Sequence, residues 1–252
     1  MSRGRLLGAG LAAYLLALLF TVPAELLRGP LQTWLPEVRL GALSGHAHAG
    51  RVDPLTVAGV ALDRAAWRWR PSALLSGRLG FEVSVDSGAG RVALHAARAP
   101  GSDPLELAAV RGSLDLDGLG RVLPRLPFRA RGRLLLEELA VDLDPTGWPR
   151  RAGGGFQLQQ AVLSAPVALN LATVAGTLGM DGARLVVDFT LAADAALTGT
   201  GRLLLAADGG YRLAARLAPG AAADPDSTAL LRQAGRPAAD GSVQVDLAGH
   251  LR

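Results

Sequence analysis

Hydrophobic and polar positions along this chain fall into two regimes. Leu6 to Val22 is one uncharged apolar run, with Arg3 and Arg5 before it and Glu25 and Arg28 after it. Farther along, the pattern switches to period two. Phe81, Val83 and Val85 alternate with Glu82, Ser84 and Asp86, and Ser87-Gly88-Ala89-Gly90 then leads into Arg91-Val92-Ala93-Leu94-His95. Two runs, each with one apolar and one polar face, joined by a glycine turn predict a β-hairpin. The same grammar predicts a strand at 184–191. It also predicts a hairpin from 202–206 through Asp208-Gly209-Gly210 into 211–217, and a last strand from Ser242 to Leu247. Asp-Gly-Gly suits such a turn because glycine accepts positive φ without steric cost. A Gly-x-Leu motif beginning at Gly77, Gly112, Gly132, Gly176 and Gly201 reads as a recurrent strand opening, and its irregular spacing excludes a solenoid.

Helix is scarce beyond the first run. A short helix is predicted from Asp226 or Ser227 through Gln233, stopped by Gly235 ahead of Pro237, and a brief turn from Pro71 to Leu75. The fold class expected is mainly β: an N-terminal transmembrane helix, then an antiparallel, meandering sheet, curled or partly open, with one or two short helices. Residues 1–28 form a tail and anchor, 29–40 a connector broken by proline, and 41–252 one β-rich domain. Gly153-Gly154-Gly155 reads as a loop inside that domain.

The apolar run sits at the lower edge of a spanning helix, which needs ~20 residues for a ~30 Å core. Leu6, Leu11, Tyr14, Leu16, Leu19, Phe20 and Val22 are its anchor residues, and Ala24, Leu26 and Leu27 extend it past Pro23. Arg3 and Arg5 place the tail in the cytoplasm and the strands outside it. A signal peptide cleaved near Val22-Pro23-Ala24 is the competing reading, with the same export. Trp34 in the connector suits either the headgroup level or plain packing.

Composition adds constraints. There is no cysteine among 252 residues, so an exported fold has no disulfide and relies on its core and ladders. The basic residues are all arginine, 26 against 22 acidic, a net charge of only +4. No basic block with interleaved aromatics occurs, which argues against nucleic acid as a partner.

The candidate chemistry is thin. His46 and His48 share a strand face as half of a metal site, or as a surface pair. Asp115/Asp117 and Asp142/Asp144 also share faces, but Asp followed by Gly118 or Pro145 is turn chemistry. No Gly-x-Ser-x-Gly motif or phosphate loop occurs. The reading is a non-enzyme with no catalytic, cofactor or metal site, and no cofactor.

One segment stands apart. Trp67 and Trp69 alternate with Arg68 and Arg70, followed by Pro71, Leu74 and Leu75. The two indoles point to one side of a strand, as a packing pair or as an interface. Trp67, Trp69, Arg70, Pro71, Leu74 and Leu75 are the candidate interface residues. With the anchor, the stretch from Gly45 to Val52, the Trp-x-Trp-x-Pro-x-x-Leu-Leu-x-Gly-x-Leu segment (67–79) and the closing stretch 231–243, the chain resembles the type II secretion system protein N family. The resemblance implies a bitopic bacterial inner-membrane protein with a periplasmic β domain, accessory to protein secretion across the outer membrane. It brings no catalytic residues, and its partners would be other secretion subunits. The alternative is a periplasmic lipid-binding or lipid-transfer protein, since a sheet with one apolar face suits a filled core or a lipid groove equally.

Overall fold

A computed structural model describes residues 20–29, 38–57, 60–101, 104–116, 129–165 and 169–250, together with residues 10 and 32. Two compact units result, residues 1–88 and 89–252.

In the first unit, β1 (Val38–Gly45) and β2 (Ala49–Val57) form an antiparallel hairpin. β3 (Val60–Leu62) and β4 (Arg64–Trp69) both pair with β2, and β5 (Leu79–Ser87) pairs with β4. Period-two alternation sets the faces. Trp69, Trp67 and Ala65 stand opposite Phe81, Val83 and Val85, while Arg68, Ala66 and Arg64 oppose Glu82, Ser84 and Asp86. Leu43, Val52 and Leu55 form the buried centre with Ala24, and Trp67 packs against them. The predicted turn after Pro71 is a 3-10 helix, Pro71–Ser76, closed by Gly77 at φ 68, where a side chain would be strained.

The second unit is a meander of consecutive antiparallel neighbours. It contains β6 (Gly90–Arg98), β7 (Leu105–Asp115), β8 (Arg129–Leu143), β9 (Pro149–Ala165), β10 (Leu169–Asp181), β11 (Arg184–Leu191), β12 (Leu197–Leu205) and β13 (Gly210–Pro219). Helix α1 (Pro225–Ala234) then interrupts the strands, and the short β14 (Arg236–Pro237) pairs with β15 (Val243–His250), which pairs with β13. The helix starts at Pro225, one or two residues earlier than the sequence suggests. Asp224 caps it by accepting the Ser227 backbone N–H at 2.7 Å, and Pro225 occupies the first turn, where no N–H is needed.

Register builds two faces. On one, Phe156, Gly176, Phe189, Gly201, Ala215 and Val245 form a row across β9 to β15, followed by Leu178, Val187, Leu203, Leu213 and Leu247. Helix α1 lies on this face through Leu231, which joins Val174, Leu191, Leu197, Ala215, Val243 and Val245 in the buried core. The opposite face carries Thr177, Asp188 and Arg202, then Ala175, Thr190, Thr200, Arg216 and Gln244.

The glycine expectations need correction. Gly77 does precede β5, but Gly112, Gly132, Gly176 and Gly201 lie inside β7, β8, β10 and β12. Their role is close approach: the rings of Phe156 and Phe189 lie over Gly176 and Gly201, where a Cβ would collide with them. Gly153–Gly155 is likewise the interior of β9 and not a loop. It faces a bulge in β8, where the register slips between Glu137 and Ala140 and Glu138 adopts φ 51. Ala109, Gln160 and Ala172 take the same left-handed conformation in β7, β9 and β10, so each of four successive strands is bent by an irregularity.

Candidate functional site

Two places gather side chains worth weighing. The first is the end of the first unit's sheet that carries the β1–β2 turn. Trp69 is only 8% exposed, and its backbone N–H donates to His48 O at 2.6 Å. Phe20 stacks on this corner, with ring centroids 4.5 Å from His48 and 6.1 Å from Trp69, the latter edge-on. The chain between is tied down as well. Ala47 N–H donates to Val22 O at 2.9 Å, Pro23 bridges to His46, and Arg28 donates to the carbonyls of Leu40 and Gly41. Phe20 and Val22 of the anchor, the His46/His48 pair and Trp69 of the interface segment thus meet at one corner.

Trp67 points to the same side as Trp69, as its strand spacing requires. It is half-buried, its indole N–H donating to Ala47 O at 3.1 Å and its ring covering Gly50. Arg70 is half-buried, whereas Pro71, Leu74 and Leu75 are exposed, Leu75 at 93%. Of the anchor residues, Phe20 and Val22 are described; Leu6, Leu11, Tyr14, Leu16 and Leu19 lie outside the described residues, as does Trp34. Among the described residues no helix is long and apolar enough to cross a membrane.

His46 and His48 stack with centroids 5.6 Å apart. Among the described residues no third His, Cys, Asp or Glu joins them as a metal-ligand group. The Nδ1 of His48 and the Nε1 of Trp69 are buried with no hydrogen-bond partner among the described residues.

The second place is a hollow of about 840 Å³ on the polar face of β10–β13 and β15, edged by the β14–β15 turn. Arg202 grips Asp188 bidentately at 2.6 and 3.0 Å. Arg216 donates to Ser242 Oγ at 2.9 Å and to Asp240 at 2.5 Å, and the Ser242 hydroxyl donates to Asp240 at 2.6 Å. Both guanidinium groups are therefore held by carboxylates, and Thr177, Thr190 and Thr200 supply exposed hydroxyls around them. Sequence reasoning missed this cluster: Arg202 and Asp188 are 14 residues apart, and only the β11–β12 register makes them opposite.

The acidic pairs behave as turn and ladder residues. Asp142 pairs with Arg151 across the β8–β9 ladder at 2.9 Å. Asp144 accepts from Thr146 N–H, Thr146 Oγ1 and Trp148 N–H at 2.8, 2.6 and 3.0 Å. Asp115 ends β7 opposite Arg133, while Asp117 lies outside the described residues.

Four carboxyl groups are held below the usual carboxylate range. The Arg202 hydrogen bond does this to Asp188, the Ser227 hydroxyl and backbone N–H to Asp224, the Ser242 hydroxyl to Asp240 and the Thr146 hydroxyl to Asp144. A carboxyl with a depressed folded-state pKa adds stability above its unfolded value, and that stability is lost as pH falls through the folded value. The urea midpoint is expected to be flat from about pH 7 to 5 and to fall below about pH 4. Asp188→Asn and Asp224→Asn should each flatten the acid limb. Added salt should shrink the Asp188 share, because that pair is solvent-exposed. An acid limb unchanged in both variants would contradict this assignment.

A family model described as type II secretion system (T2SS), protein N, matches residues 36–246. A Klebsiella pneumoniae protein named type II secretion system protein N is 30% identical over 237 residues, spanning 92% of this chain and 90% of its own length. No solved structure matches the chain.

Proposed function

Because the chain belongs to the type II secretion system protein N family, we propose that it is a non-enzymatic accessory component of a type II secretion apparatus. In this reading Leu6 to Val22 anchors it in the bacterial inner membrane with its tail cytoplasmic, and the strands are periplasmic. It acts there through contacts with other secretion subunits. The observation that carries the reading is the family match over residues 36–246, which takes in strands of both units.

The packing at the first corner supports the anchored form. The last residues of the apolar run fold directly onto the first sheet through Phe20, Val22 and Pro23. A spanning helix ending there would deliver its position to the sheet without an intervening flexible tether. In the second unit Asp142–Arg151 and Asp188–Arg202 pair across ladders and Asp224 caps α1, as suits a scaffold surface.

The test is in-membrane crosslinking of the tagged chain in its native host, with identification of what co-purifies, beside deletion of its gene. Recovery of other secretion subunits and a drop in secreted protein on deletion are expected. Unchanged secretion and unchanged subunit abundance on deletion would refute the assignment.

A further inference from the structure

The first unit carries an apolar patch that its own fold leaves in solvent. Leu75 is 93% exposed, and Leu74 and Leu79 are about half exposed beside it. Leu74 and Leu75 belong to the excursion between β4 and β5 and Leu79 opens β5 at its end, and the excursion is a built structure and not a slack loop. Arg70 N–H donates to Gly80 O at 2.8 Å, Arg78 N–H to Ala73 O at 3.1 Å and Gly77 N–H to Leu74 O at 2.9 Å. These bonds fix the 3-10 turn so that its leucines project instead of folding back. An exposed apolar cluster on a fixed turn marks a contact surface.

Its location identifies the partner. The excursion leaves the sheet at Trp69, whose ring meets the ring of Phe20. Phe20 lies two residues before the end of the uncharged apolar run at Val22. The projecting leucines therefore stand at the same end of the sheet where the run arrives. Charge agrees with this. From Trp67 to Phe81 the chain holds Arg68, Arg70 and Arg78 and no acidic residue; Arg68 faces Glu82 across the ladder, and Arg70 and Arg78 flank the turn itself. Apolar tips beside arginine suit an interface with anionic lipid, where the tips enter the acyl boundary and a guanidinium group such as that of Arg70 stays at the phosphates.

We propose that the Pro71–Ser76 turn, with Leu74, Leu75 and Leu79, rests in the headgroup and upper acyl region of an anionic bilayer. It is a second membrane contact beside the N-terminal run and fixes how the first sheet stands on the membrane. The inference rests on the anchored reading above for the source of the bilayer.

The absence of cysteine makes the test direct. Single-cysteine variants of the full chain, Leu75→Cys, Leu16→Cys and Thr200→Cys, are spin-labelled and reconstituted into vesicles of phosphatidylethanolamine and phosphatidylglycerol. Collision of each label with oxygen and with a water-soluble nickel chelate reports its depth. A label at 75 with nickel access several-fold below that at 200, and oxygen access above it, is expected. A label at 75 that matches the one at 200 overturns the proposal. Shielding seen only when other secretion subunits are added also overturns it, in favour of a protein partner. The label at 16 judges the anchored reading separately: if it lies in water, that reading fails, and the depth at 75 still decides the turn.

Discussion

Replacing Gly201 by alanine is expected to destabilise the protein by about 1–2 kcal/mol, the opposite of what a glycine in a strand ordinarily predicts. In an open strand the added methyl would gain about 0.5–1 kcal/mol by restricting the unfolded chain. Here Gly201 sits opposite Phe189, and the ring lies over it. A Cβ would come within 2.8 and 2.9 Å of Cε1 and Cε2, and closer still to Cζ. The ring must lift off the sheet, and overpacking of this kind costs about 1–3 kcal/mol, more than the entropic gain. The three atoms nearest that Cβ all belong to the ring, so the remedy is specific. Phe189→Leu should cost stability alone yet cancel most of the Gly201→Ala penalty, leaving a coupling of about 1 kcal/mol or more in the cycle. Gly176→Ala behaves differently. Its Cβ would meet Phe156 and also the backbone oxygen of Asp188 at 2.7 Å, which no side-chain truncation removes. Phe156→Leu should therefore fail to rescue it. Urea midpoints of the two cycles decide the matter, and a stabilised Gly201→Ala or a strictly additive pair would refute the account.

These glycine–aromatic pairs show where the sequence was legible and where it was not. Alternation located the strands well: Phe81, Val83 and Val85 do form one face, opposite Trp69, Trp67 and Ala65. The Asp208-Gly209-Gly210 turn does join β12 to β13, with Asp208 Oδ1 accepting the Gly210 N–H at 2.8 Å. Such features depend on neighbours in the chain, so local pattern carries them. The glycines misled because their reason lies across the ladder. Gly176 is glycine on account of Phe156, 20 residues earlier, and Gly50 on account of Trp67, 17 later. Gly153–Gly155 looked like a break because composition cannot distinguish a loop from a strand that faces a bulge. The Phe20, His48 and Trp69 corner and the Asp188–Arg202 pair were invisible for the same reason: register creates them, and a single sequence does not specify register. The family was legible because it is carried by an ordered set of loose motifs over the length of the chain, and a match over residues 36–246 reads the same signal.

Leu231→Asp is expected to be the most damaging single change in the second unit. Leu231 is 4% exposed and is a buried apolar side chain that α1 presents to the core formed with Ala215, Val243 and Val245. Removing its side chain as Leu231→Ala should cost about 2–5 kcal/mol, a large part of the roughly 5–15 kcal/mol that holds a domain folded. Aspartate adds a carboxylate with no partner in an apolar setting, which must either expel the helix or take up a proton. The ladder itself does not depend on the helix, because β15 pairs with β13 from Leu217/Val243 to Gly210/His250. The variant should therefore lose α1 before it loses strands. Trypsin should cut faster after Arg232, which lies in the last turn of α1, while backbone amides of β11 and β12 keep their protection from exchange. Burial raises the pKa of the introduced carboxyl, so the folded state binds its proton more tightly than the unfolded state does. The deficit relative to the parent should then shrink as pH falls toward 5. Leu231→Met, of similar volume and without charge, should stay within about 1.5 kcal/mol of the parent. If Leu231→Asp kept the parental midpoint at pH 7, the helix would not be seated on this face.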